Sequence, residues 1–537
     1  MLRLYLAEKE ARLSADTEIT LKLTNEWFKD RETEHSFPFT LKLEANRHIF
    51  GFPERPGNHA LSRYMALHGK TYSIVMPAFI TYGGVTLLYG SARITSVSNT
   101  EVELFCYSGE YDFWKAMETY RLGELPEGIR EMFDVLISNN GRLMDKTDLL
   151  SKLDDYSLAL SVKNAVMCLP KIYDPTMTSI PGETAQIHPC WLNYRNGLSL
   201  ESEVNSRTCV LLPCPNMSKI MEIILECLGY SIKFSSLASG IFPQVYIVSR
   251  RTYISLAHYT SETSYPIHLP DFLPDITFRE FLEEIERKFC VLIQPLHPLY
   301  SLEGDKKVNI VSFDNYINNT LPIELEVLDD CEKEVLENDD IVADYRFTDE
   351  DPSDDAINGE VMDVEPISLE ASILLDGTDD NSDGVKNIEC ISAPIAKFMD
   401  DVDSDYKGVA VISSGDTGNI DINNDEEWFA GKIANRNKEF RIGLSKNGIN
   451  LTPEYSEEES LKWEHLRKIY YSRYDFIHGQ FMCVEFILKH PVQALNQIKY
   501  LFSRPIIVRN LKFLVVEQNI TFKGMNVEYR IKCYPVS

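Results

Sequence analysis

The sequence predicts a β-rich, multidomain α+β chain. Its parts are an N-terminal β-barrel or sandwich, paired small α/β modules, an acidic β-rich insert and a C-terminal α/β segment. Three observations predict this. Residues 1–108 break into short runs of alternating apolar and polar residues separated by turn residues, the pattern of half-buried strands. Residues 215–315 hold two degenerate copies of a helix followed by two strands. Residues 321–430 carry 33 Asp/Glu against 5 Lys/Arg, net −28 of the chain's −29, yet keep apolar islands between the acidic runs. The length of 537 residues suits several domains of about 100–200 residues. Apolar, aromatic and charged contents of 44%, 11% and 25% exclude wholesale disorder, a collagen repeat or a coiled-coil rod.

The elements follow in chain order. Residues 2–6 and 19–23 read as strands, and residues 39–43 alternate as a half-buried strand does. Residues 45–56 read as a long polar-aromatic loop. Residues 71–92 contain no charge, but Pro77, Gly83 and Gly84 would break a membrane helix. A strand–turn–strand fits instead, with arms at residues 72–75 and 85–89 and the two glycines in the turn. Residues 92–97 and 102–107 complete the expected barrel. Residues 109–206 read as a connecting helical segment with further strands. A helix starts near Tyr111, breakers fall at Pro126 to Gly128 and Asn139 to Gly141, and residues 156–160 begin another β-like stretch.

Residues 207–320 hold the two repeated helix–strand–strand modules. The first has a helix at residues 217–228, a stop at Gly229, and strands at residues 230–234 and 245–249. The second opens with the capping box Thr277-x-x-Glu280. Phe278, Phe281, Leu282, Ile285 and Phe289 follow at helical spacing. Strands at residues 290–293 and 308–312 complete it. Neither unit buries its apolar face alone, so the two are expected side by side, each as a helix on a strand pair. The insert, residues 321–430, reads as β-rich with long acidic loops and apolar islands at residues 367–375, 391–398 and 409–412. Residues 431–537 read as helices at 463–471 and 492–501 with strands at 481–488, 506–508, 513–516 and 527–533. So β-branched a terminus is expected to be tied into a sheet.

The residue chemistry does not declare an enzyme. There is no Gly-x-Ser-x-Gly elbow, no His-Glu-x-x-His, no phosphate loop and no dinucleotide-binding glycine motif. His188 and Cys190 stand two apart across a proline, a spacing without catalytic geometry. Asp401, Asp403 and Asp405 begin as an EF-hand loop does, but Tyr406 and Ile412 occupy the positions that need Gly and an acid. None of the eleven cysteines forms a Cys-x-x-Cys pair, and Cys209 and Cys214 match no zinc pattern. Cys290 and Cys483 lie in apolar context, as buried reduced thiols do, which implies a reducing compartment. Arg250-Arg251 is a solvated turn rather than a basic patch, and so acidic a chain disfavours nucleic-acid binding. Tyr470-Tyr471 near Arg473 reads as half-buried core. The expected site therefore contains no catalytic, cofactor-binding or metal-binding residue, no cofactor is expected, and no signal peptide or membrane segment is read.

Three stretches carry a family resemblance. The first is Leu2-Arg-Leu-Tyr-Leu6 with Ser36-Phe-Pro-Phe-Thr-Leu-Lys-Leu43 and Asn46-Arg-His-Ile-Phe-Gly-Phe52. The second is Leu269-Pro-Asp-Phe-Leu-Pro-Asp-Ile-Thr-Phe-Arg-Glu-Phe-Leu282 with its following strands. The third runs from Arg504-Pro-Ile-Ile-Val508 through Tyr529. In element order and texture the chain resembles tail baseplate hub proteins of bacteriophages, especially those of Bacteroides-type phages and prophages. The resemblance implies a virion structural protein without enzymatic activity, made in the bacterial host cytoplasm and built into the virion tail. It implies that residues 1–108 form a tube-like β-barrel, one of two barrels per subunit, and that a homotrimeric ring caps the hexameric tail tube. The implied partners are the tail tube protein, the tape measure protein and spike or fibre proteins, with no membrane segment and no specific nucleic-acid binding. The strands of a second barrel would come from residues around 150–205 and 430–537. The acidic insert either decorates the outside or faces the channel and repels DNA. Two other readings stay open: an envelope-degrading hydrolase of the tail tip acting on peptidoglycan or capsule, and a non-viral binding module.

Overall fold

The structure is a computed structural model that describes residues 2–25, 27–28, 35–52, 64–68, 71–158, 166–173, 191–196, 199–201, 203–204, 207–208, 210–249, 252–255, 259, 261–296, 306–318, 321–335, 344–349, 385–397, 410–411, 432–434, 440–474, 482–496, 501–502, 504–524 and 526–536. It is β-rich with a smaller helical content, as the sequence predicts. Both ends of the chain share one large sheet. From the N-terminal region come β1 (Leu2–Leu6), β2 (Lys9–Glu10), β3 (Glu18–Thr24), β4 (His35–Ser36), β5 (Phe39–Lys42), β6 (Met65–His68), β7 (Thr71–Tyr82), β8 (Val85–Val97) and β9 (Glu101–Ser108). From later in the chain come β10 (Val327–Val335), β11 (Met482–Leu488), β12 (Ile506–Val508), β13 (Leu511–Lys523) and β14 (Asn526–Val536). The order is β2-β1-β7-β8-β9-β4-β3-β13-β14-β11-β10, with β5 on β9, β6 on β7 and β12 on β13. Two half-barrels result, joined where β3 pairs with β13.

Alternation along each strand sets the buried face. Ile19, Leu21 and Leu23 of β3 point into the same apolar cluster as Val102 and Leu104 of β9 and Ile520 and Phe522 of β13. The runs at residues 85–89 and 92–97 form one strand, β8. Gly90, between them, stays in register with Ala78 on one side and Ser108 on the other. Gly83 and Gly84 adopt φ of 59° and 90°, the left-handed pair that a tight two-residue hairpin turn requires. Pro77 does not break β7. Its carbonyl accepts from Ala7 N at 2.7 Å, so its missing N–H faces the same side, past the end of β1, and the β8 ladder loses nothing.

The rest of the chain packs around a second, larger apolar cluster. Two helices stand at its centre, α1 (Met217–Cys227) and α2 (Phe278–Phe289). Thr277 caps α2 with the reciprocal Glu280 contacts of a capping box. Tyr230–Ser235 pairs in parallel with Lys306–Ser312, which pairs antiparallel with Val291–Leu296. The expected strand pair of the first module does not form. Val245–Val248 instead pairs with Arg441–Leu444, and both strands are buried at every position. Tyr230–Ser235, half exposed, takes an edge.

Four further expectations are corrected. The β-like stretch at residues 156–160 begins as the last turn of the helix Lys146–Leu158, whose buried Leu149, Leu150, Leu153 and Ser157 follow a helical period. The loop at residues 45–56 contains a short helix, Arg47–Phe50, held down by buried Ile49 and Phe50. The second half-barrel draws no described strand from residues 150–205. Those strands pair elsewhere, for example Met167–Cys168 with Cys214–Pro215. It uses β10 and Ile323–Glu324 from the acidic segment instead. The helix expected at residues 463–471 forms, with a π-helical turn at Arg467–Tyr471, whereas the one expected at 492–501 is the single turn Pro491–Leu495. Other strands of the insert are shared among several sheets. Asp344–Asp349 pairs in parallel with Val385–Cys390, Ala393–Pro394 joins Arg441–Leu444, and Ala396–Lys397 joins Ala410–Val411. The island at residues 367–375 lies outside the described residues.

Candidate functional site

Two regions stand out, a seam and a buried polar cluster. The seam is the β3–β13 pairing, in register from Glu18↔Lys523 to Thr24↔Glu517. Its solvent side carries the ion pairs Lys523–Glu18 at 3.2 Å and Lys22–Glu517 at 3.9 Å, with Thr20 and Thr521 hydroxyls bonded at 3.0 Å. An exposed pair such as Lys523–Glu18 contributes about 0–1 kcal/mol, while Lys22 and Glu517 are largely covered, so the seam depends mainly on the apolar face beneath. At one end buried Asn25 donates from Nδ2 to the Val515 carbonyl at 2.8 Å and the Tyr316 hydroxyl at 3.0 Å. Trp27 packs against Phe313, Tyr316 and Tyr474 with centroids 4.9, 6.1 and 6.2 Å away. The sheet and the α/β body are locked together at that knot.

The outer face of the N-terminal half-barrel carries a row of aromatics. Tyr5, Phe79 and Tyr89 face one another across β1, β7 and β8. Tyr5 stacks on Phe79 at 4.3 Å, and Phe79 lies 6.4 Å from Tyr89. The large sheet ends at β2, only two residues long, and at β10. These edges are the places where another strand can add to the sheet.

The polar cluster anchors the acidic insert to α2. Lys288 is fully buried; its Nζ donates to Asp349 Oδ1 and to the Ser392 carbonyl at 3.3 Å. Trp463 Nε1 donates to the same Asp349 oxygen at 2.8 Å, and its ring lies 4.6 Å from Lys288 Nζ. Phe347 packs 4.8 Å from Trp463 and 4.7 Å from Tyr471. One turn before Lys288, buried Glu284 accepts from the backbone N–H of Ile391 at 2.9 Å and of Ser392 at 3.1 Å, and from the Ser392 hydroxyl. Burial pushes the Glu284 carboxyl above its ordinary value against the pull of Lys288. Burial works against the Lys288 charge too, but Asp349, Cys390 and Glu284 together outweigh it and hold its pKa up. The sequence reading missed this cluster. Its signal was present: Glu284 and Lys288 continue the Phe281–Ile285 stripe, so charged residues occupy a buried face.

Other residues singled out in the sequence scatter. His188, Cys190, Cys209, Arg250, Arg251, Asp401, Asp403 and Asp405 lie outside the described residues. Cys290 and Cys483 are buried free thiols, as expected. Tyr471 is buried with its hydroxyl on the Arg287 carbonyl, and Tyr470 meets Phe289 edge-on at 5.7 Å. Arg473 pairs with Asp314 at 3.6 Å and donates to Asn318. Among the described residues no cluster of three or more His, Cys, Asp or Glu is placed to hold a metal ion, and no helix is long and apolar enough to cross a membrane.

No family model matches the chain. No curated protein matches it. Among solved structures it is similar to the 43 kDa tail protein of prophage MuSo2 from Shewanella oneidensis, with TM-score 0.36 and 7% identity over 99% of this chain and 95% of that one. It is also similar to the tail protein from Neisseria meningitidis MC58, with TM-score 0.32 and 8% identity over the same shares.

Proposed function

We propose that this chain is a structural protein of a phage tail, a baseplate hub subunit that works by assembly rather than catalysis. One observation carries the reading: a single chain presents two half-barrels joined edge to edge through β3 and β13. Three such subunits supply six barrel-type units, the number that matches a six-fold tube, and a homotrimeric ring is the closed arrangement that delivers them. In this reading the ring caps the tail tube, meets the tape measure protein and carries spike or fibre proteins in the virion tail. The sheet edges at β2 and β10 and the aromatic row of Tyr5, Phe79 and Tyr89 are surfaces suited to obligate contacts between subunits. Light scattering on the purified chain at micromolar concentration tests it. Three times the 61.6 kDa chain mass, with rings in electron micrographs, is expected, alone or on adding tail tube protein. The chain mass alone under both conditions overturns the trimeric hub.

A further inference from the structure

The contact between α2 and the insert holds the parts of a reaction. Lys288, with no solvent exposure, is hydrogen-bonded to the largely buried Asp349 carboxylate, with Glu284 one turn away, in a site walled by Trp463, Phe347 and Tyr471. A charged pair taken out of water pays a large desolvation cost that an amide between the same two groups avoids. We propose that Lys288 and Asp349 are joined by an intramolecular isopeptide bond between Nζ and Cγ, which welds the acidic insert to α2.

The geometry assigns each step. Lys288 Nζ is hydrogen-bonded to Asp349 Oδ1, and the Ser392 carbonyl at 3.3 Å fixes the amine from a second direction. Glu284 is the positioning residue for that carbonyl, because its carboxylate holds the backbone N–H groups of Ile391 and Ser392. One proton passes from Nζ to the Asp349 carboxylate and resides on Oδ2, the oxygen that Trp463 does not hold, which converts the ion pair into a neutral amine and a neutral acid with no net change in charge. The amine lone pair then attacks Cγ. Negative charge develops on Oδ1, where the Trp463 indole N–H already donates at 2.8 Å, the placement of an oxyanion donor. The C–O bond to the other oxygen breaks, and that hydroxyl leaves as water with a proton from the nitrogen. One amide and one water form from one amine and one acid, and no oxidant or reductant takes part. Holding the two groups in contact supplies the effective concentration that the free side chains lack in water. The bond would close a loop between residues 61 apart and so restrict the unfolded chain.

Mass spectrometry of the full-length chain under denaturing conditions tests this. The intact mass is expected to fall below the sequence mass by one water, about 18 Da. After trypsin, the peptide beginning at Lys288 is expected uncut after that residue and joined to the peptide beginning at Phe347. A full sequence mass overturns the proposal, and so does a lost water with the two peptides separate. Asp349→Asn is expected to form the same amide with loss of ammonia, about 17 Da. Lys288→Arg is expected to show its full sequence mass; a water loss retained in that variant overturns the assignment. Should either variant fail to fold, the wild-type digest decides alone.

Discussion

Single residues in the body of the protein are held tightly enough for substitutions to report on packing. Gly443 lies in a strand buried at every position, and a Cβ there would come within 2.7 Å of Ile395 Cδ1 and 2.8 Å of Leu451 Cδ2. Both neighbours are buried, so Gly443→Ala is expected to lower stability by about 1–3 kcal/mol, read from the urea midpoint. An unchanged midpoint would mean that the pocket relaxes freely. Glu284 makes a signed pH prediction. Its pKa is raised on folding, so the protonated carboxyl favours the fold below its ordinary value of 4.5, and that contribution is lost as pH rises through the folded pKa. The stability of the wild type relative to Glu284→Gln should therefore fall as pH climbs from 4.5 to 8; a difference that grows instead refutes the burial argument. Cys106 is buried with its thiol pushed up to about 12. At pH 8 only about one thiol in 10⁴ is then ionised, so alkylation of the native chain should spare it while the denatured chain reacts. These positions were legible in the sequence to different degrees. Cys290 and Cys483 declared their burial through apolar neighbours, whereas Glu284 and Lys288 went unread, because the partners that bury them lie about a hundred and about sixty residues away.

At the scale of elements, local signals were read correctly where a strand or helix carries its own alternation or cap. The strands of β1, β3, β5 and β9 follow period-two patterns, and α2 announces itself by Thr277 and Glu280. Thr277→Ala should cost about 1 kcal/mol in the unfolding free energy, because it leaves an N-terminal donor of α2 unsatisfied. An effect within error would mean that tertiary contacts alone hold the first turn. Misreadings arose where tertiary pairing overrode the local cue. Pro77 suggested a boundary, yet it sits in the middle of a twelve-residue strand because its missing N–H points past the end of β1. Tyr156 and the residues after it suggested a strand, yet the buried leucines before them extend a helix through Leu158. Partner choice was the least legible feature. Nothing near residues 18–24 indicates that their neighbour is β13, some five hundred residues on, or that β10 joins β11 across the whole acidic segment.

The whole molecule is closed by that long-range seam, while eleven of its acids fall in one excursion between paired strands. Asp344–Asp349 and Val385–Cys390 run parallel and in register, so the connection must return along the length of a strand before pairing resumes. The distance from the end of one to the start of the other is about five residue steps, or about 17 Å. Residues 351–384 supply this return with eleven acids and no base. If their role in folding is only to span that gap, a short neutral connection should serve. A twelve-residue Gly/Ser linker, with a typical end-to-end distance of about 19 Å, meets the requirement. The replacement should leave the thermal midpoint and the oligomeric mass unchanged while moving the net charge from −29 to −18, seen as earlier elution in anion exchange. A lower midpoint would assign the segment a share of the core. A normal midpoint with a lost oligomer would place it in the contacts between subunits, where its charge would then have to meet a basic surface.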